Sequence, residues 1–390
     1  MELNRYKSLV KRNKFLYRAY YYVMSLSVNI MKLFLKGDDK LILFVGFGGR
    51  RFTGCPKAIY DYMKNDARFK DYKLVWGFIH PEDYPDVLLK VKIDTYQYYK
   101  SALKARCWIT NVLIERALNF TGINTFYLYT DHGGSVKKGG IDDINKSSFT
   151  SLAKYHYSAI IAQSEFEKNV RSKIFSVNKN EVYLTGQPRN DVLANYSSEY
   201  RNKIREELGI TVDEVKAVLY APTFREYSHV GAFETPVVDF FKWHEYLGDN
   251  YVILYRAHPA ISGGAVAINE KWFIDVTKYD NLESLMIASD VLVSDYSGLI
   301  VDYSILDKPI CLWLYDYNQY KETRGLYIDV KEELPNAINE GDLLKMIKAG
   351  QTEEQRKLIK AFQHKYATYY GNASKNATDL VYKKLQKAEK

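Results

Sequence analysis

From residue 40 onward, short apolar runs recur, each closed by glycine or polar residues. "KLILFVGFGG" is continuous rather than alternating in its apolar positions, as expected of a strand buried on both faces that ends in a loop. "PKAIYDYMKND" then reads as a helix. "YKLVWGFI", "ARCWITN", "TFYLYTDHGG", "YSAIIAQS" and "VYLTGQP" repeat the strand pattern, several of them leading into helical stretches. This alternation predicts a doubly wound α/β domain over residues 38–192. The polar, helix-prone "NYSSEYRNKIREELGI" reads as a connection. A second series, "VKAVLYAPTF", "YVILYRAHP", "WFIDVT", "VLVSDYSG" and "PICLWLY", predicts another α/β domain over 193–340. Helices with lysine-rich faces are expected over 341–390. Two such halves imply a central cleft, with ligands held beyond the carboxyl ends of the strands.

The 390 residues are enough for two cores, and 47% hydrophobic content marks a globular chain rather than a disordered one. Charge changes the picture only at the start. Residues 1–36 carry eight Lys/Arg against Glu2, so +7 of the net +8 sits there. The rest is nearly neutral, which argues against a nucleic-acid partner. In the same segment Ala19–Met31 is uncharged for thirteen residues, short of the roughly 20 needed to span a bilayer. Residues 1–37 therefore predict a basic amphipathic helix lying on an anionic membrane surface, the alternative being a helix packed on the protein's own core. No secretory signal is expected. Cys55, Cys107 and Cys311 lack CxxC spacing and suggest a reducing, cytoplasmic setting.

The candidate chemistry falls at the predicted strand ends. His132 follows "TFYLYT", Arg225 follows "VLYAPT", Arg256 and His258 follow "YVIL", and Ser294, Asp295 and Ser297 follow "DVLV". Ser297 and Gly298 lead into a predicted helix, Leu299–Leu306, whose start suits a phosphate; a plain serine cap is the alternative. Arg256 and His258 share one side of an extended chain and could meet a departing pyrophosphate, though a structural histidine fits as well. Arg225 is a candidate bidentate phosphate clamp. Gly133 lets backbone approach a ligand beside His132, and Lys137 and Lys138 add positive charge; a solvated basic turn reads equally well. Asp131 need not contact His132, since neighbours on a strand face opposite ways. A neutral His132 could take a proton from an attacking hydroxyl.

Taken in order, "GGRRFTGCPKAIYDYM", "YTDHGGSVKKGGID", "GQPRNDVL", "YAPTFRE", "RAHP", "SDYSGLIVDYSILDKPI" and "RGLYIDV" resemble the CDP-glycerol glycerophosphotransferase family of teichoic acid synthesis. The likeness runs over roughly residues 40–330. It implies a GT-B fold and transfer of glycerol or ribitol phosphate from a CDP-alditol to an undecaprenyl-diphosphate-linked glycan. It also implies peripheral attachment at the cytoplasmic face of the membrane. By this resemblance His132 matches the proposed catalytic base and His258 a second essential histidine. Arg225, Ser294, Ser297 and Gly298 would lie at the donor phosphates, Asp302 matches an acidic helix position, and Arg324 the arginine of "RG-Y". Where the family usually has Trp-His-Gly-Thr-Pro, this chain has Asp131-His132-Gly133-Gly134-Ser135, on what would be the acceptor side. The chain is similar in length to priming or single-addition members.

No cofactor beyond the CDP-alditol donor is implied, and no Asp-x-Asp metal pair is present. Two other readings use the same residues. One is a GT-B sugar transferase or nucleotide-sugar epimerase; the other is a membrane-bound assembly protein keeping a nucleotide site without turnover.

Overall fold

The first sheet is organised around β1 (Asp38–Val45), whose last five residues are buried. The structure, a computed structural model, describes residues 13–139, 142, 156–210, 214–223, 225, 238–257 and 268–387. Preceding β1 is α1 (Lys14–Leu33), capped by the Asn13 side chain. After β1 come α2 (Gly54–Lys64), β2 (Lys73–Phe78), β3 (Lys90–Lys92), α3 (Tyr96–Lys104), β4 (Ala105–Thr110) and β5 (Phe126–Tyr129). Next are β6 (Ala159–Ala162), α4 (Glu165–Ile174), β7 (Val182–Leu184) and α5 (Asp191–Asn195). All seven strands pair in parallel, in the order β3-β2-β1-β4-β5-β6-β7. Helices cover both faces, so β4 and β6 are buried at every position and carry no polar alternation.

The second unit begins with α6 (Ser198–Glu207), followed by β8 (Lys216–Tyr220), α7 (Phe240–Leu247), β9 (Tyr251–Tyr255) and β10 (Phe273–Asp275). It continues through α8 (Leu282–Ala288), β11 (Val291–Ser294), α9 (Leu299–Tyr303), β12 (Ile310–Trp313), α10 (Tyr317–Thr323), α11 (Val330–Glu333) and β13 (Asn336–Ala337). Its parallel sheet runs β10-β9-β8-β11-β12-β13. Each sheet reverses strand order once, at β1/β4 and at β8/β11, and such reversals open a crevice at the strands' carboxyl ends. Two doubly wound units set across a cleft make the GT-B arrangement.

One expectation needs correction. α6, read from sequence as a connection, is part of the second core: Ile204 and Ile210 pack with Leu285 and Met286, and Arg205 bonds the Ala288 carbonyl at 3.0 Å. The closing helices are α12 (Glu340–Ala349), α13 (Glu353–Tyr366) and α14 (Ala373–Lys387). α14 returns to the first sheet, burying Ala377, Val381 and Leu385 against α2 and β4, so the chain crosses between units twice.

α1 has two apolar faces. Tyr21 and Val28 are buried against the first unit, while Phe15, Tyr22, Val23, Leu26, Ile30 and Leu33 point outward, 47–80% exposed. Asn29 and Lys32 bond Asn119 and Thr121. Arg5, Lys7, Lys11 and Arg12 lie outside the described residues. Among the described residues no helix is long and apolar enough to cross a membrane.

Candidate active site

A cavity of about 670 Å³ lies between the two reversal points. Phe47, Arg51, Asn111 and the loop after β5 form its first wall; Thr223, Arg256, Ser297, Gly298 and Asp302 form the other, joined by Arg324.

The chain leaves β5 through Asp131, which adopts φ +57°, in the left-handed region. That turn brings its carboxylate back: it accepts the His132 N–H at 2.8 Å and lies 3.4 Å from Nδ1. Beneath the loop, fully buried Arg171 donates to the Gly133 carbonyl at 3.1 Å and pairs with Glu167. His132 Nδ1 is 3.0 Å from the backbone oxygen of Asn111, at the end of β4. A carbonyl can only accept, so Nδ1 carries a proton, and in the neutral ring the lone pair is on Nε2. The imidazole is about half exposed and edge-on to Phe47, whose N–H is held by the Asn111 side chain at 2.7 Å.

The same loop then crosses the cleft. Gly134 meets Gly298 backbone to backbone: a β-carbon on Gly298 would stand 2.5 Å from the Gly134 nitrogen, so only glycine fits. Val136 is fully buried in the second unit's core beside Ile300 and Ile328. Lys138 N–H donates to Gly325 at 3.1 Å, and Lys137 bridges to Leu326. The glycines and lysines of this stretch therefore join the two walls, and Gly133, Lys137 and Lys138 all line the cavity.

On the second wall the predicted residues divide. Arg256 lines the cavity while anchored to the Val276 and Tyr279 carbonyls at 3.1 and 2.7 Å. Burial, then the Arg51 guanidinium facing it, pulls its pKa down. Ser297 Oγ accepts the Leu299 N–H at 3.2 Å. The helix it opens is α only over Leu299–Tyr303 and continues as a 3₁₀ turn over Ser304–Leu306, shorter than expected.

Arg225, Ser294 and Asp295 are not on the cavity wall. Ser294 Oγ bonds the Ala221 carbonyl at 2.7 Å, and Asp295 accepts the Thr223 and Tyr296 N–H groups. Arg225 is 1% exposed and gripped by Asp295 at 2.8 Å and by both oxygens of Asp316, at 2.7 and 3.1 Å. Tyr296, Tyr315 and Tyr320 surround its guanidinium at 5.1–5.2 Å. Arg225 also donates to the Thr223 carbonyl at 2.6 Å, so here the guanidinium expected at the phosphates faces protein oxygens. His258 lies outside the described residues.

Sequence reasoning singled out "GQPRNDVL" but gave its residues no role. Arg189 Nη2 donates to Asp302 Oδ2 at 2.7 Å and Asn190 Nδ2 to Oδ1 at 2.7 Å, joining this motif to "SDYSGLIVDYSIL" across the boundary between units. Arg189 also reaches Gln187 and approaches Cys55 Sγ and Glu283. Burial pushes the Glu283 carboxyl up and the Cys55 thiol up. Among the described residues no group of three His, Cys, Asp or Glu is placed to hold a metal.

A family model described as CDP-Glycerol:Poly(glycerophosphate) glycerophosphotransferase matches residues 27–383. The chain belongs to this family. The glycerophosphotransferase family member described here is 30% identical to a teichoic acid poly(glycerol phosphate) polymerase of Staphylococcus epidermidis, over 98% of this chain and 55% of that one. It thus spans about half the length of that relative. It is 29% identical to a teichoic acid glycerol-phosphate transferase of Staphylococcus aureus, over 90% of this chain and 95% of that one. Among solved structures, the wall teichoic acid polymerase TagF superposes with a TM-score of 0.81 at 28% identity, over 99% of this chain and 97% of the other. A TagF variant soaked with CDPG also superposes with a TM-score of 0.81.

Proposed function

We propose that this protein transfers glycerol phosphate from CDP-glycerol to a hydroxyl of a lipid-linked glycan acceptor and releases CMP. His132 carries the reading. With the Nδ1 proton held by the Asn111 carbonyl, Nε2 is the basic atom, and it belongs to a ring on the wall of a cation-rich cavity. The acceptor oxygen attacks the donor's β-phosphorus and loses its proton to Nε2. The bond from that phosphorus to the bridging oxygen breaks, and CMP departs with the electron pair. Arg256, Arg324 and Lys138, with the backbone around Ser297 and Gly298, are the groups that meet the growing negative charge. His258 enters by resemblance alone, as a second histidine beside the donor phosphates. Arg225 and Asp295 act as framework, and Arg189 with Asp302 positions the second wall.

Glycerol is preferred over ribitol because the glycerol-phosphate relatives align over 98% and 90% of the chain, whereas a ribitol-phosphate polymerase of Staphylococcus aureus aligns over 52%. The outward stripe of α1, following a basic segment, is read as the contact with the cytoplasmic face of an anionic membrane.

The test is CMP release from CDP-glycerol and from CDP-ribitol with a lipid-linked disaccharide, for wild type and His132→Ala. Release from CDP-glycerol should fall about 10²–10⁴-fold in the variant. Turnover of UDP-sugars, with neither CDP-alditol consumed, would replace this reading with a sugar transferase.

A further inference from the structure

The turn between β1 and α2 serves two cavities. Phe47 and Arg51 face the one described above; Gly49 and Arg50 face a second, of about 360 Å³, completed by Ile79, His80, Asp83 and Tyr84. Its floor is backbone. Gly49 has φ +81° and accepts the Ile79 N–H at 2.8 Å, and a β-carbon there would collide with Ile93 at 2.1 Å.

The chemistry of its walls is mixed in an informative way. Among the described residues the Arg50 guanidinium has no hydrogen-bond or ion-pair partner, whereas the neighbouring Arg116 is held by Asp94. His80 Nδ1 is 3.2 Å from Glu82. The Tyr84 ring stacks on Phe78 at 4.2 Å, and its hydroxyl donates to the Arg50 carbonyl at 3.2 Å. The Asp83 carboxylate shares the wall and would repel a ligand that is anionic throughout, but it accepts hydroxyl protons well. A guanidinium without a partner among the described residues, sharing one pocket with a carboxylate, an imidazole and a phenol, fits a ligand with one anionic group and several hydroxyls. The volume is that of a site for one ring-sized unit.

We infer that this second pocket is an acceptor subsite for a phosphate-bearing sugar or polyol, with Arg50 on the phosphate and His80 and Asp83 on the hydroxyls. The inference rests on the reading of the main cavity as the transfer site, since it is the shared turn that leads from this pocket past Arg51 to His132. It deepens that reading by placing acceptor recognition on the turn after β1, away from the donor wall.

The experiment is calorimetric titration of the full chain with methyl hexoside 6-phosphate and with the unphosphorylated methyl hexoside. Wild type, Arg50→Ala, Arg50→Lys and Arg256→Ala are compared. Arg50 is exposed, so its replacement leaves the fold intact, and Arg256→Ala reports on the main cavity. The phosphorylated hexoside should bind Arg50→Ala at least ten-fold more weakly than wild type. Arg50→Lys should recover part of the loss, and the unphosphorylated hexoside should not distinguish the proteins. Three results would overturn the inference: no binding to wild type, equal binding to Arg50→Ala, or loss in Arg256→Ala instead. CDP-glycerol turnover by wild type is scored separately. Turnover without Arg50-dependent binding sinks the subsite alone, and Arg50-dependent binding without turnover of any CDP-alditol sinks the proposed reaction alone.

Discussion

Arg189 and Asp302 stand 113 residues apart and meet at 2.7 Å, with side chains 10% and 5% exposed. One comes from the 3₁₀ turn after β7, the other from α9. The pair, with Asn190, ties the two cavity walls together.

Breaking that tie from one side should be costly, because the remaining charge stays buried. Asp302→Asn is expected to destabilise the protein by roughly 3 kcal/mol, seen as a lower thermal midpoint. The double variant Arg189→Met/Asp302→Leu should recover much of the loss. A double variant that is additively worse than either single would show that the contact contributes nothing as a pair.

Arg225 and Arg256 offer a contrast between framework and ligand contact. Arg225→Met leaves Asp295 and Asp316 without their cation and should cost roughly 3–5 kcal/mol. Arg256→Ala should cost less stability than Arg225→Met yet raise the KM for CDP-glycerol about ten-fold or more, as expected for loss of a charge-assisted phosphate contact. Melting and donor kinetics on both variants separate the roles; the reverse pattern would return Arg225 to the phosphates.

Glu115 is 4% exposed beside Tyr127, and burial raises its carboxyl to about 7. Its folded value lies above its unfolded one, so the folded state binds the extra proton. Its stabilising contribution is full below about pH 4.5 and is lost as pH rises to about 7. The span corresponds to roughly 3 kcal/mol. Urea midpoints of wild type should decline over that window, and Glu115→Gln should flatten the decline. Parallel curves for the two proteins would remove Glu115 as its source.

The outer stripe of α1 should act without supporting the fold. Leu26→Glu and Ile30→Glu, at positions 62% and 47% exposed, are expected to reduce sedimentation with anionic vesicles at least ten-fold while leaving the thermal midpoint unchanged. Val28→Ala, at a buried position, should do the opposite. Vesicle binding indifferent to both outward changes would remove the helix from the membrane contact.

The sequence by itself determined the strands and their order of appearance, because strands covered on both faces must be written as unbroken apolar runs. It missed β3 and β13, which have three and two residues and too little apolar content to register. It also located His132, Arg256 and Ser297, since strand ends are where an open parallel sheet can offer polar groups. Pairing was another matter. That Arg225 faces two carboxylates rather than the cleft, that Arg189 reaches Asp302, and that Asp131 turns back onto His132 are contacts set by a left-handed turn or by residues distant in the chain. A guanidinium reads the same in one dimension whether it awaits a phosphate or already holds an aspartate. Only the packing of the two units decides which.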